Sequence, residues 1–209
     1  MKNKKIGIGI ACIILFLLLI CWVYNTFVFS KRYAGDVDSI GIIDDSISAS
    51  YADMTIYNGG ISPESDSHGE TLLSYLNDKD YIGKIYYFSA EDSEGKISSD
   101  SIIQGLEWMK ENDVERINIS LSSKYKSREL AEWIIDNPDI LIFCSYNNQD
   151  NSFDYPAMLD GTISSGISDK INYKEQDKKY PSYNIIIINN GLHFYSGNSY
   201  LSLETMLNY

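Results

Sequence analysis

The stretch SIIQGLEWMKENDVERINISL, Ser101 to Leu121, decides the fold. Ile102, Ile103, Leu106 and Met109 recur at helical spacing, which predicts a helix from about Ser99 to Asn112 with these four as its inward stripe. The polar Asn112-Asp113 step then hands the chain straight to a short apolar run, Val114 to Leu121, that reads as a strand. The same alternation repeats on both sides. Upstream, Ile82 to Ser89 is strand-like and is followed by a polar turn from Glu91 to Lys96. Downstream, Ser127 to Asp136 carries Leu130, Trp133 and Ile134 on one helical face, and Ile140 to Cys144 is the most apolar strand of all. Strands alternating with helices predict an α/β domain, a doubly wound and mostly parallel sheet with helices on both faces.

The outer segments extend this pattern. Ser39-Ile40-Gly41-Ile42-Ile43 reads as a buried strand stopped by Asp44-Asp45-Ser46, and Ser48 to Asp66 as a loop. Asp66-Ser67-His68-Gly69-Glu70-Thr71 opens a short helix over Leu72, Leu73, Tyr75 and Leu76. Thr162 to Ile167 and Ile185 to Ile188 are short strands, with Asn189-Asn190-Gly191 marking a hairpin back through Leu192 to Tyr195. Ser196-Gly197-Asn198-Ser199 opens a last helix bearing Leu201, Leu203 and Met206.

The first 30 residues differ in kind. Three lysines precede Ile6 to Ser30, a run of 25 residues without a charge, and Lys31-Arg32 closes it. At about 1.5 Å per residue such a helix spans a hydrocarbon core of about 30 Å. The run is long for a signal peptide, and Trp22, Tyr24, Phe27 and Phe29 offer no small-x-small cleavage site. The expected organisation is a membrane anchor over 1–30, a linker over 31–38 and one domain over 39–209. The lysines put the N-terminus inside, so the domain is expected on the extracellular side of the cell membrane as a single-pass protein.

Beyond the anchor, 14 basic side chains face 29 acidic ones. A balance of −15 excludes nucleic acid and anionic membrane as partners of the domain and is compatible with peptides. Cys12 and Cys21 fall in the anchor, leaving Cys144 alone, so no disulfide framework or Cys/His metal site can be assembled. The chain has only two histidines. His193 alternates with apolar neighbours on a strand and reads as structural. His68 stands at a helix start, where its side chain can enter a cleft and exchange a proton near neutral pH. Nucleophilic serine chemistry needs a hydroxyl on a sharp turn, a histidine base, a carboxylate to orient it and donors for the oxyanion. In chain order Asp44, His68, Asn148 and Ser199 supply these types, with Asp45 an equal candidate beside Asp44.

That order and its contexts resemble the subtilisin-like serine proteases. Ile42-Ile43-Asp44-Asp45-Ser46-Ile47 resembles the aspartate motif, Ser67-His68-Gly69-Glu70 the histidine motif and Gly197-Asn198-Ser199 the serine motif. Ser101 to Leu121, Ile140 to Asn148, and the cis-proline-type Tyr155-Pro156-Ala157 match its other segments. The resemblance implies a membrane-anchored endopeptidase acting on peptide or protein substrates without a cofactor. Ser199 would be nucleophile, His68 base and then acid, Asp44 its orienting carboxylate and Asn148 the oxyanion donor. Ser120, Leu121 and Ser122 would form one side of the substrate groove, and Tyr146 the wall of a shallow pocket. Asp45-Ser46 stands in place of Thr/Ser-Gly, Glu70-Thr71 in place of Thr-His, Asn198 in place of threonine and Leu203 in place of proline. The short C-terminal side implies a serine helix supported on one face only, to be covered by a partner protein. The alternative is a degenerate relative that binds a peptide or protein without turnover.

Overall fold

Buried β-branched runs and capped amphipathic helices build the elements, which in this computed structural model are described for residues 13–16, 28–30, 38–47, 54–60, 67–148, 154–188 and 192–209. In chain order they are β1 (Val28–Ser30), β2 (Ser39–Asp44), β3 (Thr55–Gly60), α1 (His68–Asp78), β4 (Lys84–Ser89), α2 (Ser99–Glu111) and β5 (Arg116–Ile119). There follow α3 (Arg128–Asp136), β6 (Leu141–Ser145), β7 (Thr162–Gly166), β8 (Lys178–Lys179), β9 (Asn184–Ile188), β10 (Leu192–Ser196) and α4 (Asn198–Leu207). Serines start three of the helices. Ser67, Ser98 and Ser127 each accept a backbone N–H of the first turn, satisfying a donor that the helix itself leaves open.

Seven strands form one sheet in the order β3-β4-β2-β5-β6-β7-β8, with every pairing parallel. The chain leaves β2 toward β3 and β4 on one side, then crosses to β5 on the other. The carboxyl ends of β2, β5 and β6 therefore open onto one crevice, the usual ligand position of such a sheet. Two apolar clusters cover its faces. Leu72, Leu73 and Leu76 of α1 and Leu201, Leu203 and Met206 of α4 lie on one side with Ile40, Ile42 and Ile85. Ile102, Leu106 and Met109 of α2 and Leu130, Trp133 and Ile134 of α3 lie on the other with Ile43, Ile117 and Ile119. Each fully buried leucine of α1 contributes about 1.5–3 kcal/mol.

Three expectations change. Thr55–Gly60, expected as loop, is the edge strand of the sheet, paired along β4 from Thr55↔Lys84 to Gly60↔Ser89. Its sequence, TIYNGG, lacks a strand pattern. What holds it is non-local: Tyr57 stacks on Tyr86 at 4.8 Å, and Gly59 admits Trp108 where a Cβ would approach the indole to 2.9 Å. The expected hairpin, β9 with β10, is present but belongs to a second sheet, β1-β9-β10, whose third strand was unforeseen. Val28–Ser30, the end of the expected anchor, forms its parallel edge on Ile185–Ile187. Finally, α4 is not supported on one face only. Asn198, Ser199, Leu201, Ser202, Leu203, Thr205, Met206 and Leu207 are all buried, and Ile185 and Ile187 of the small sheet share its apolar cluster. The serine helix packs on β5, β6 and β7 and against α1.

Among the described residues no helix is long and apolar enough to cross a membrane. Apart from residues 13–16 and 28–30, the expected anchor lies outside the described residues, as do 31–37 of the linker and the Asn189-Asn190-Gly191 turn. The Tyr155–Pro156 bond is cis, matching the expected segment type.

Candidate active site

Asp44 is the last residue of β2, at the carboxyl end of an interior strand, and is fully buried. Its Oδ1 lies 2.9 Å from His68 Nδ1 and also accepts the Asp45 N–H at 2.9 Å. The histidine's other nitrogen, Nε2, lies 3.1 Å from Ser199 Oγ. Three residues separated by 24 and 131 positions thus form one continuous line of hydrogen bonds.

Local structure aims each member. Asp45 is not an alternative to Asp44 but its complement. Its two carboxylate oxygens accept the His68 N–H at 2.8 Å and the Gly69 N–H at 2.7 Å, pinning the N-terminus of α1 to the end of β2. A carboxylate at that position also meets the positive end of the helix dipole. Gly69 is required there by space. A Cβ would fall 1.6 Å from the Tyr87 hydroxyl, which donates to the Asp45 carbonyl at 2.7 Å. At the other end of the line, Gly197 precedes α4 with φ of 132°, a backbone that favours glycine, and Ser199 then projects from the first turn.

The donors for an oxyanion are also arranged. The Oδ1 of Asn148 accepts the Asn198 N–H at 2.8 Å, which fixes the amide and leaves its Nδ2 with no hydrogen-bond partner among the described residues. Asn198 is buried and its own Nδ2 donates to the carbonyls of Tyr146 and Asn147, at 2.8 and 3.2 Å. The residue that stands where threonine was expected therefore ties the loop after β6 to the serine helix. Asp154 accepts the Asn147 N–H from beneath, and burial pushes its carboxyl up to about 6.

Ser120, Leu121 and Ser122 follow β5 and face the triad across a cleft of about 340 Å³ that also contains Asp45, Glu91 and Ile97. Tyr146 lies in the lining, but its hydroxyl donates to Asp177 at 2.7 Å and its ring packs edge-on to Tyr173. The residue is 3% exposed.

Electrostatics suit proton transfer. Burial by itself pulls the His68 pKa down, but the hydrogen bond and charge of Asp44, aided by Asp45, reverse this and hold it above its usual 6.5. Cys144 is fully buried on β6, and burial pushes its thiol up to about 12, the character of a small core residue and not of a nucleophile. His193 Nδ1 lies 2.6 Å from Asp78 Oδ2 and joins β10 to α1, the structural role expected of it.

No family model matches the chain. Subtilisin DY of Bacillus licheniformis is 26% identical over 164 residues, covering 67% of this chain and 60% of that protein. The chain is subtilisin-like in sequence and in fold. The protease domain of PatA superposes with a TM-score of 0.62 at 12% identity, over 85% of this chain and 78% of that one. The PatG macrocyclase in complex with peptide gives 0.56 at 12% identity, over 87% and 77%. The subtilisin-like chain spans about 60% of the length of the first curated relatives it matches.

Sequence reasoning placed Asp44, His68, Asn148 and Ser199 by their motifs. It missed what Asp45 and Asn198 do and that Glu91 lines the cleft. Asp45 and Asn198 each adjoin a motif residue and could have been singled out as substitutions needing a partner. Glu91 carried no such signal.

Proposed function

We propose that this protein is a serine endopeptidase that cleaves peptide bonds with Ser199, His68 and Asp44. The observation that carries the reading is the unbroken contact from Asp44 Oδ1 to His68 Nδ1 and from His68 Nε2 to Ser199 Oγ, 2.9 and 3.1 Å long. His68 accepts the Ser199 proton as the oxygen attacks the substrate carbonyl, and later returns it to the leaving amine. Asp44 keeps Nδ1 protonated, so that Nε2 is the basic nitrogen, and stabilises the imidazolium that forms. The freed Asn148 Nδ2 and the Ser199 N–H, at an unsatisfied helix start, hold the developing oxyanion. Ser120 to Ser122 accept the substrate as an added strand. The charge-free run Ile6 to Phe27, ahead of β1, supports membrane anchoring, with the lysines before it supporting an extracellular domain.

Fluorophosphonate labelling of the detergent-solubilised protein tests this directly. The wild type is expected to label and Ser199→Ala to remain unlabelled. A folded wild type that does not label would refute the enzyme and leave a groove that binds peptides without turnover.

A further inference from the structure

The active-site cleft is lopsided in charge. Asp44, Asp45 and Glu91 line it together with His68, and among the described residues that line it there is no lysine or arginine. The three carboxylates are not equivalent. Asp44 faces His68, and both oxygens of Asp45 are taken by the N–H groups that start α1. Asp44 Oδ2 also lacks a partner among the described residues but is fully buried, so half-buried Glu91 is the carboxylate of the three with an oxygen open to a ligand. Its Oε2 accepts the Ser46 N–H at 3.0 Å and the Ser46 hydroxyl at 2.5 Å, which fixes the carboxylate, while its other oxygen has no hydrogen-bond partner among the described residues.

No cation among the described residues of the cleft neutralises it. Glu91 begins a hairpin arm that pairs back at Ile97 and also carries Asp92 and Glu94. The arm's one cation, Lys96, is exposed and bonded to Glu94 at 2.6 Å. The domain's overall excess of acids deepens the negative potential in the cleft, where low-dielectric walls focus the field. A peptide laid along Ser120 to Ser122 as an added strand points alternate side chains to opposite sides, within a cleft that Glu91 and His68 both line.

We propose that Glu91 receives a lysine or arginine side chain of the bound peptide, so that the groove selects cationic peptides. This rests on the peptide-binding groove proposed above. A purely structural Glu91 would serve only to accept from Ser46, and glutamine does that equally well. Charge is therefore the variable to change.

The test uses the full chain carrying Ser199→Ala, so that binding is read without turnover, and a fluorescent neutral peptide in which one Lys, Ala or Glu is moved through each position. One position is expected to bind Lys roughly tenfold more tightly than Ala, as a partly desolvated ion pair allows. The preference should shrink between about 50 and 500 mM salt. In Glu91→Gln it should fall to within about twofold, and Glu91→Asp, which keeps the charge, should retain most of it. Equal binding of Lys, Ala and Glu peptides, or a Lys preference that survives Glu91→Gln, overturns the assignment alone. Failure of every peptide to bind overturns the groove reading with it. Labelling of the wild-type serine reports separately on catalysis.

Discussion

Gly69→Ala is the sharpest perturbation of the triad that touches none of its members. The added Cβ would lie 1.6 Å from the Tyr87 hydroxyl and 2.7 Å from the adjoining ring carbon, where ordinary contact begins at about 3.4 Å. Relief of about 1.8 Å is needed, and Tyr87 is fully buried and bonded to the Asp45 carbonyl. That bond breaks, costing about 1 kcal/mol, and the start of α1 is pushed outward for about 1–3 kcal/mol more. The sum, about 3 kcal/mol, corresponds to a fall in Tm on the order of 10 °C for a domain of this size. Because His68 is the preceding residue, the same shift stretches its bonds of 2.9 and 3.1 Å. A misplacement of about 1 Å costs roughly 10²-fold in rate. Melting by circular dichroism and the rate constant of fluorophosphonate labelling, both in detergent, read the two effects. Adding Tyr87→Phe removes the clashing oxygen but leaves the ring carbon close, so it should restore labelling in part. A Gly69→Ala variant with wild-type Tm and labelling rate would refute the reasoning.

Other consequences follow from the same geometry. Asp44→Asn preserves shape but reverses the histidine tautomer, so kcat/KM should drop roughly 10⁴-fold with Tm changed little; a loss under tenfold contradicts the assigned role. Since His68 is held above 6.5, labelling should decline as pH falls through a midpoint above that value, and a midpoint at or below 6.5 would count against the Asp44 pairing. The sign for stability is opposite: what the raised His68 contributes is complete below 6.5 and is lost as pH rises through its raised value, while burial raises Asp44 as well. Lys79 and Glu204 form a nearly buried pair at 2.9 Å, with Tyr75 donating to the same Glu204 oxygen, and they clamp α1 to α4. Glu204→Gln alone should lower stability by about 3–5 kcal/mol, whereas Lys79→Met with Glu204→Leu should cost much less; equal losses in chemical denaturation would argue against a charge left unpaired.

Much of the sheet could be read locally. The stripe Ile102, Ile103, Leu106, Met109 and the run Ile140 to Cys144 encode which face is buried, because burial against one surface imposes a period on the residues themselves. Serine caps at positions 67, 98 and 127 mark helix starts for the same reason: the donor they satisfy lies within one turn. The motif residues were legible because short motifs surround each of them. The edge strand β3 was not. Its glycines and asparagine carry no pattern, and what orders it is β4 and Trp108.

By itself, then, the sequence determined the alternation of strands and helices, the charge of the domain and the order Asp44, His68, Asn148, Ser199. Only the tertiary structure decided that Asp44 and not Asp45 faces the histidine, that Asp45 instead holds the start of α1, and that Asn198 ties the Asn148 loop to the serine helix. It also decided that eight of the ten residues of the serine helix are buried, and that Lys79 is buried against a glutamate 125 residues away. The division is physical. Periodicity and capping act over one or two turns, whereas the partner of a buried polar group is set by which distant segments the closed sheet brings within about 3 Å.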